Sequence, residues 1–115
     1  MKTSYYAKSG SMPNAVSIAG RAPTSYRGLE YKRLAPKIWF FKEYKDPNDE
    51  HFMDQEFYIK HFYKEVLDKL DPKEVYDELG EDAILLCWET PEEFCHRHLV
   101  AEWLSKNLNI EIKEI

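Results

Sequence analysis

The eleven residues from Cys87 to Arg97 read Cys-Trp-Glu-Thr-Pro-Glu-Glu-Phe-Cys-His-Arg, so two thiols, an imidazole and a guanidinium fall beside several carboxylates. Glu89 follows Cys87 by two positions and shares its face on an extended strand. A carboxylate at a strand exit can serve as general acid, base or nucleophile once burial or a neighbour tunes it. Its plainer role is to cap the next helix or pair with Arg97. Cys95 and His96 open the following helix pattern. A thiol near a helix N-terminus feels a positive potential and ionises more readily, though a small buried residue packed on a sheet is equally in character for cysteine. Neighbours on a helix point about 100° apart, so Cys95 and His96 need not touch. Arg97 beside a helix N-terminus suits a phosphate or carboxylate, with its charge expected to face an opening; the plainer reading is a bridge to Glu89 or Glu93. Glu89 and Cys95 are the candidate catalytic residues.

Zinc is the metal to weigh, because Cys87, Cys95, His96 and His98 are ligand types. The eight-residue gap and the Cys-His adjacency do not match finger or ribbon spacing, so no metal and no cofactor are expected. No glycine-rich loop follows any strand, which argues against nucleotide binding of the Rossmann or P-loop kind, and there is no nucleophile elbow.

These residues need a scaffold. Ala83-Ile84-Leu85-Leu86 is the most strand-like run and should extend through Trp88. Thr3 to Tyr6 and Ala15 to Ile18 read as two further strands, and Ile110 to Lys113 as a half-buried edge strand. Helices are expected over Lys37–Lys45, opened by Pro36, and along the apolar spacing from Phe52 to Leu70. Another should start at the Asp71-Pro72 cap and stop at Gly80. The last should open on a Thr90/Glu93 capping box with Pro91 and run to about Asn107. Residues 19–36 show no periodicity; a loop that long in a small domain is usually functional or mobile, the alternative being a surface excursion tied down by Tyr26 and Tyr31. The order predicts an α/β fold: a small single domain with a mostly parallel sheet flanked by helices. Ser17 and Glu89 both end predicted strands, so they should meet at one sheet edge, in a concave site with Arg21, Cys95 and Arg97.

At 115 residues the chain fits one domain over 1–115, with 43% hydrophobic residues for its core and 32% charged residues for its surface. An aromatic content of 15% leaves rings to line a pocket. A net charge of −5 without a Lys/Arg run argues against nonspecific duplex binding. No apolar run approaches a membrane span and no secretory leader is present, so a cytoplasmic protein is expected, with both cysteines as free thiols.

The chain resembles the family called domain of unknown function 488. The matching residues are Leu85-Leu86-Cys87-Trp88-Glu89, then Phe94-Cys95-His96-Arg97, then Val100-Ala101-Glu102-Trp103-Leu104. Upstream, Val16-Ser17-Ile18 followed by Arg21 and Pro23, and Leu34-Ala35-Pro36, resemble it as well. Trp88 departs from the more usual tyrosine and removes a hydroxyl. The resemblance implies an α/β domain and leaves its activity unassigned. Ser17, Arg21, His96 and Arg97 are the candidate binding residues.

Three functions compete on this reading. The first is a small enzyme, or degenerate enzyme, acting on a nucleotide, nucleoside or nucleic-acid end, with an anionic ligand held at the C-terminal end of the sheet. The second is a non-catalytic module that binds a small ligand or a protein. The third, a cysteine-dependent rhodanese-like enzyme, ranks behind both, because Trp88–Phe94 lacks the glycine-rich turn of an anion cradle.

Overall fold

Ile84-Leu85-Leu86-Cys87 is apolar at every position, as befits a strand covered on both faces. In the computed structural model, which describes all 115 residues, it forms β4 (Ile84–Cys87), buried throughout and central in the sheet. Around it lie β1 (Lys2–Tyr5), β2 (Ala15–Ser17), β3 (Leu29–Glu30) and β5 (Lys113–Glu114) in the order β3-β2-β4-β1-β5. Every pairing is parallel, with Ser17 opposite Leu86 and Tyr5 opposite Cys87. The helices are α1 (Tyr6–Ser9), α2 (Ile38–Lys45), α3 (Gln55–Glu65), α4 (Pro72–Leu79) and α5 (His96–Leu108). None is long and apolar enough to cross a membrane.

The side-chain alternation of the strands divides the core. Val16 and Leu85 point into the larger cluster, with Phe40 of α2, Phe62 of α3, Val75 of α4 and Leu104 of α5. Ala15, Ile84 and Leu86 point the other way, into a thin layer closed by Tyr6 and Tyr26. Helices therefore crowd one face, while α1 and the loop after β2 cover the other.

Several boundaries follow from local chemistry. The Asp71 carboxylate accepts from the Lys73 amide at the start of α4, and Gly80, at φ 90°, ends it in a conformation open to glycine. Asp54 caps α3 by accepting from the Phe57 amide. The expected capping box at Thr90 does not open a helix. Its residues form a turn in which the Glu93 amide donates to the Thr90 carbonyl at 3.0 Å, and α5 begins five residues later than Pro91, at His96. The intervening residues bring Phe94 onto Tyr44 and Tyr58, with ring centroids 5.8 and 5.2 Å apart. The last strand also shifts, from the expected Ile110–Lys113 to Lys113–Glu114, with Ile112 packed on the core.

The stretch over 19–36 holds more order than its composition suggests. It contains β3 and a 3-10 turn at Lys32–Leu34. Tyr26 donates to the Leu29 carbonyl at 2.7 Å, the Tyr31 hydroxyl donates to Glu78, and Arg33 bridges Glu74 and Glu78 of α4.

Leu86 is fully buried and Leu29 is 70% exposed. Leu86→Ala should therefore lower the unfolding free energy by ~2–5 kcal/mol, and Leu29→Ala by less than about 0.5 kcal/mol. Denaturant titration of both variants checks the contrast; equal losses would place the core elsewhere.

Candidate functional site

In an open parallel sheet, a crevice forms where neighbouring strands send their onward connections to opposite sides. Here β2 leads outward to β3, while its neighbour β4 leads through α5 to β5 at the far edge. Between the carboxyl ends of β2 and β4 lies a cavity of about 500 Å³, large enough for a small organic ligand. Ala19, Gly20 and Arg21 form the side after β2, and Cys87, Trp88 and Glu89 the side after β4. Helices α2 and α3 contribute Ile38, Phe41, Tyr44, Lys45 and Tyr58, and Phe94, Cys95 and His96 complete the lining.

Most of this wall is hydrophobic, and five of its residues are aromatic: Phe41, Tyr44, Tyr58, Trp88 and Phe94. Its polar groups are few, and Glu89 is the main one. The Glu89 side chain is 18% exposed, and its carboxylate accepts from Lys45 Nζ at 3.2 Å. Lys45 also lies over the rings of Phe41 and Tyr44, 5.7 and 5.6 Å from their centroids. Burial, reinforced by the Glu89 charge, raises the pKa of Tyr44 and Tyr58, so both phenols stay protonated at neutral pH. Trp88 donates its indole N–H to the Arg21 carbonyl at 2.7 Å and so ties the loop after β2 to the end of β4. The indole at this position supplies a tether in place of the tyrosine hydroxyl.

Arg21, Glu89, Cys95 and His96 thus come together in the cavity wall. Ser17 and Arg97 do not join them. Ser17 is fully buried at the same sheet edge, and its hydroxyl is paired with that of Tyr6 at 2.6 Å, on the opposite face. Arg97 was expected to turn its charge toward the opening, and the structure places it wholly inside. Its Nε and Nη2 donate to the Glu114 carboxylate at 3.0 and 2.9 Å. Its Nη1 donates to the Glu89 carbonyl at 2.7 Å and contacts Cys87 Sγ at 3.1 Å. With every edge occupied, the guanidinium braces the end of β4 rather than presenting itself to a ligand.

The thiols also differ from expectation. Cys87 and Cys95 are joined as a disulfide. Cys95 is not helical; it is the residue before α5, extended at φ −150° and ψ 146°, which turns its sulfur back toward the strand end. That conformation also brings Cys95 Sγ within 3.8 Å of His96 Nδ1, a contact two consecutive helical residues would not make. His96 Nε2 donates to the Ile18 carbonyl at 2.7 Å. Burial pushes the His96 pKa down to about 4, so the ring is neutral at pH 7.

Lys45, Tyr44, Tyr58 and Phe94 escape sequence reasoning. They sit on helices or turns whose apolar spacing marks them as core, and nothing local separates Lys45 from any other lysine in a last helical turn.

The Arg97–Glu114 pair carries its own test. Burial raises the Glu114 pKa, but hydrogen bonds from Arg97 and Thr3 and the guanidinium charge outweigh it, so the net shift is downward. The nearby His98 is held below its usual value by burial and by Arg97. Because the Glu114 pKa is lowered on folding, its stabilisation is full above the unfolded carboxylate value and is lost as pH falls through the folded one. Glu114→Gln should remove that part of the acid-induced loss of stability. Arg97→Ala should lower the melting temperature markedly, because it removes the bonds to Glu114 and the Glu89 carbonyl and leaves the half-buried Glu114 carboxylate without its partner. Melting curves from neutral to acid pH decide; an Arg97→Ala protein as stable as wild type would return the guanidinium to a ligand-binding role.

No curated protein and no solved structure matches the chain. One family model matches residues 9–108, nearly the whole length, and it is described as the active DUF488-N3 subclade. Together with the Cys-His-Arg segment at the β4–α5 junction, this match places the chain in the DUF488-N3a family.

Proposed function

We propose that this chain is a small enzyme acting on a nucleotide or nucleoside, with the cavity between β2 and β4 as its active site and Glu89 as the reacting carboxylate. The observation that carries the reading is the position of Glu89: a largely buried carboxylate at the carboxyl end of the central strand, inside an aromatic-walled cavity. Tyr44, Tyr58, Trp88 and Phe94 offer faces and edges to a planar base. Lys45 takes the anion-binding part first assigned to Arg97, since its half-exposed ammonium stands beside Glu89 at the cavity, within reach of a phosphate bound there. In a glycosidic cleavage Glu89 activates the attacking water, the sugar–base bond breaks, and the departing base takes up a proton. That proton is the one Glu89 takes from the water, which it passes on to the base directly or through the hydroxyl of a neutral Tyr44 or Tyr58 that is protonated again in the same step.

A non-catalytic module that reads a small anionic ligand is the second reading, favoured by the Lys45–Glu89 ion pair, which occupies the carboxylate in the ligand-free chain. A cysteine enzyme ranks behind both, because Cys87 and Cys95 are buried and joined to each other.

Thermal-shift measurements over nucleosides and their monophosphates, followed by chromatography for released base, test the proposal. Stabilisation by a nucleotide with release of its base, reduced about 10²–10⁴-fold in Glu89→Gln, is the expected result. Lys45→Ala should weaken monophosphate binding by about 1.5–3 kcal/mol and leave the nucleoside nearly unaffected. Stabilisation without product would favour the binding module. No stabilisation and no product would reject both.

A further inference from the structure

We infer that Cys87, Cys95 and His96 form, once the disulfide is reduced, a three-ligand site for a zinc-class divalent cation whose fourth coordination position faces the cavity. This stands independently of the nucleotide reading. Spacing along the chain does not match a finger or ribbon, and the fold supplies the convergence instead. The two sulfurs and one imidazole nitrogen lie within 4.8 Å of one another, all three residues are buried, and all three line the cavity.

The tautomer of His96 is the sharpest observation. A carbonyl oxygen only accepts, so Nε2, 2.7 Å from the Ile18 oxygen, must carry the proton. Nδ1 is left with a bare lone pair, and it faces Cys95 Sγ at 3.8 Å. An imidazole that binds through one nitrogen while the other donates to a backbone carbonyl is the usual arrangement of a metal-ligating histidine. A tetrahedral zinc with Zn–S of about 2.3 Å and Zn–N of about 2.0–2.1 Å holds sulfur and nitrogen roughly 3.6 Å apart and two sulfurs roughly 3.8 Å apart. The sulfur–nitrogen distance is already close to that value. The 7.2 Å between the Cα atoms of Cys87 and Cys95 leaves room for the two sulfurs to part around an ion once the bond is reduced.

The charges also balance. Two thiolates and one divalent cation sum to zero among three buried residues, beside an Arg97–Glu114 pair that is itself neutral. Arg97 Nη1, 3.1 Å from Cys87 Sγ, donates to that sulfur as a supporting group and stabilises its thiolate. Two thiolates and one histidine with an open position match the donor set of catalytic rather than structural zinc sites.

Loading requires a reductant. A small dithiol passes two electrons and two protons to the Cys87–Cys95 bond and is itself oxidised to a cyclic disulfide. The incoming cation then displaces both thiol protons to solvent.

The test uses the full chain, reduced with a dithiol, freed of it by anaerobic desalting and titrated with cobalt(II) chloride. One equivalent should produce the thiolate-to-cobalt charge-transfer band and the visible absorption of a tetrahedral ion, and one equivalent of zinc chloride should bleach both. The oxidised protein should show neither. Cys95→Ser, close to isosteric and checked for folding by circular dichroism, should lose the tight site. His96→Gln should alter the visible bands. If reduced protein binds no cobalt, the inference fails. It fails equally if Cys95→Ser and Cys87→Ser bind as the parent does, or if the oxidised form binds as strongly. Binding without a charge-transfer band would assign the metal to the half-buried Glu43, Asp49 and His51 cluster and overturn it as well.

Discussion

A guanidinium removed from water must meet a carboxylate and find acceptors for its remaining N–H groups, since an unpaired buried charge costs several kcal/mol. Arg97 is wholly buried and meets both demands. Glu114 takes one edge of its fork, the Glu89 carbonyl takes the other, and Thr3 donates its hydroxyl to the same Glu114. One side chain on the first turn of α5 thereby holds the end of β4, the edge strand β5 and, through Glu114, β1. A two-residue strand such as β5 has too short a ladder to fix its own place. The ion pair and the Thr3 hydroxyl add to its short pairing with β1.

The same interaction decides what the cavity presents. Arg97 binds the backbone oxygen of Glu89, so the Glu89 carboxylate is left to Lys45 and the cavity. Had the guanidinium taken the carboxylate, the central strand would end in a closed ion pair with no reacting group. Alternation past the strand end assigns the remaining directions. Cys87 and Glu89 lie toward the helical layer, while Trp88 between them contacts Tyr6 and holds the loop after β2. The charged interior and the open site are two outcomes of one hydrogen-bond arrangement.

How far these features can be read from the sequence depends on whether each is set locally. The all-apolar run of β4, the Asp71 cap and Gly80 are local, and their elements stand where the residues place them. The Thr90–Glu93 pattern is equally local and misleads, because tertiary contacts of Phe94 with Tyr44 and Tyr58 hold those residues in a turn. Glu89, Cys95, His96 and Arg21 at the cavity follow from one rule about parallel sheets. Ser17 obeys that rule too, yet its side chain falls on the other face, since neighbouring strand residues alternate. For Arg97 the sequence offers the near carboxylates Glu89 and Glu93 as partners, whereas its actual partner, Glu114, lies 17 residues away, beyond the expected end of the last strand. Lys45 and the aromatic wall come from helices packed against the sheet, and no spacing rule links them to β4.

The Cys-His-Arg segment shows why three adjacent residues can serve three purposes. Cys95 precedes the helix in an extended conformation, so its sulfur points back to Cys87. His96 and Arg97 are the first two helical residues and diverge by about 100°, one toward the Ile18 carbonyl and the other toward Glu114. Starting the helix one residue earlier would rotate Cys95 away from both Cys87 and His96 and separate the sulfur from the imidazole. Starting it one residue later would release His96 from its helical orientation toward β2 and Arg97 from the first complete turn. The segment works only with the helix beginning where it does, at the residue after an extended Cys95.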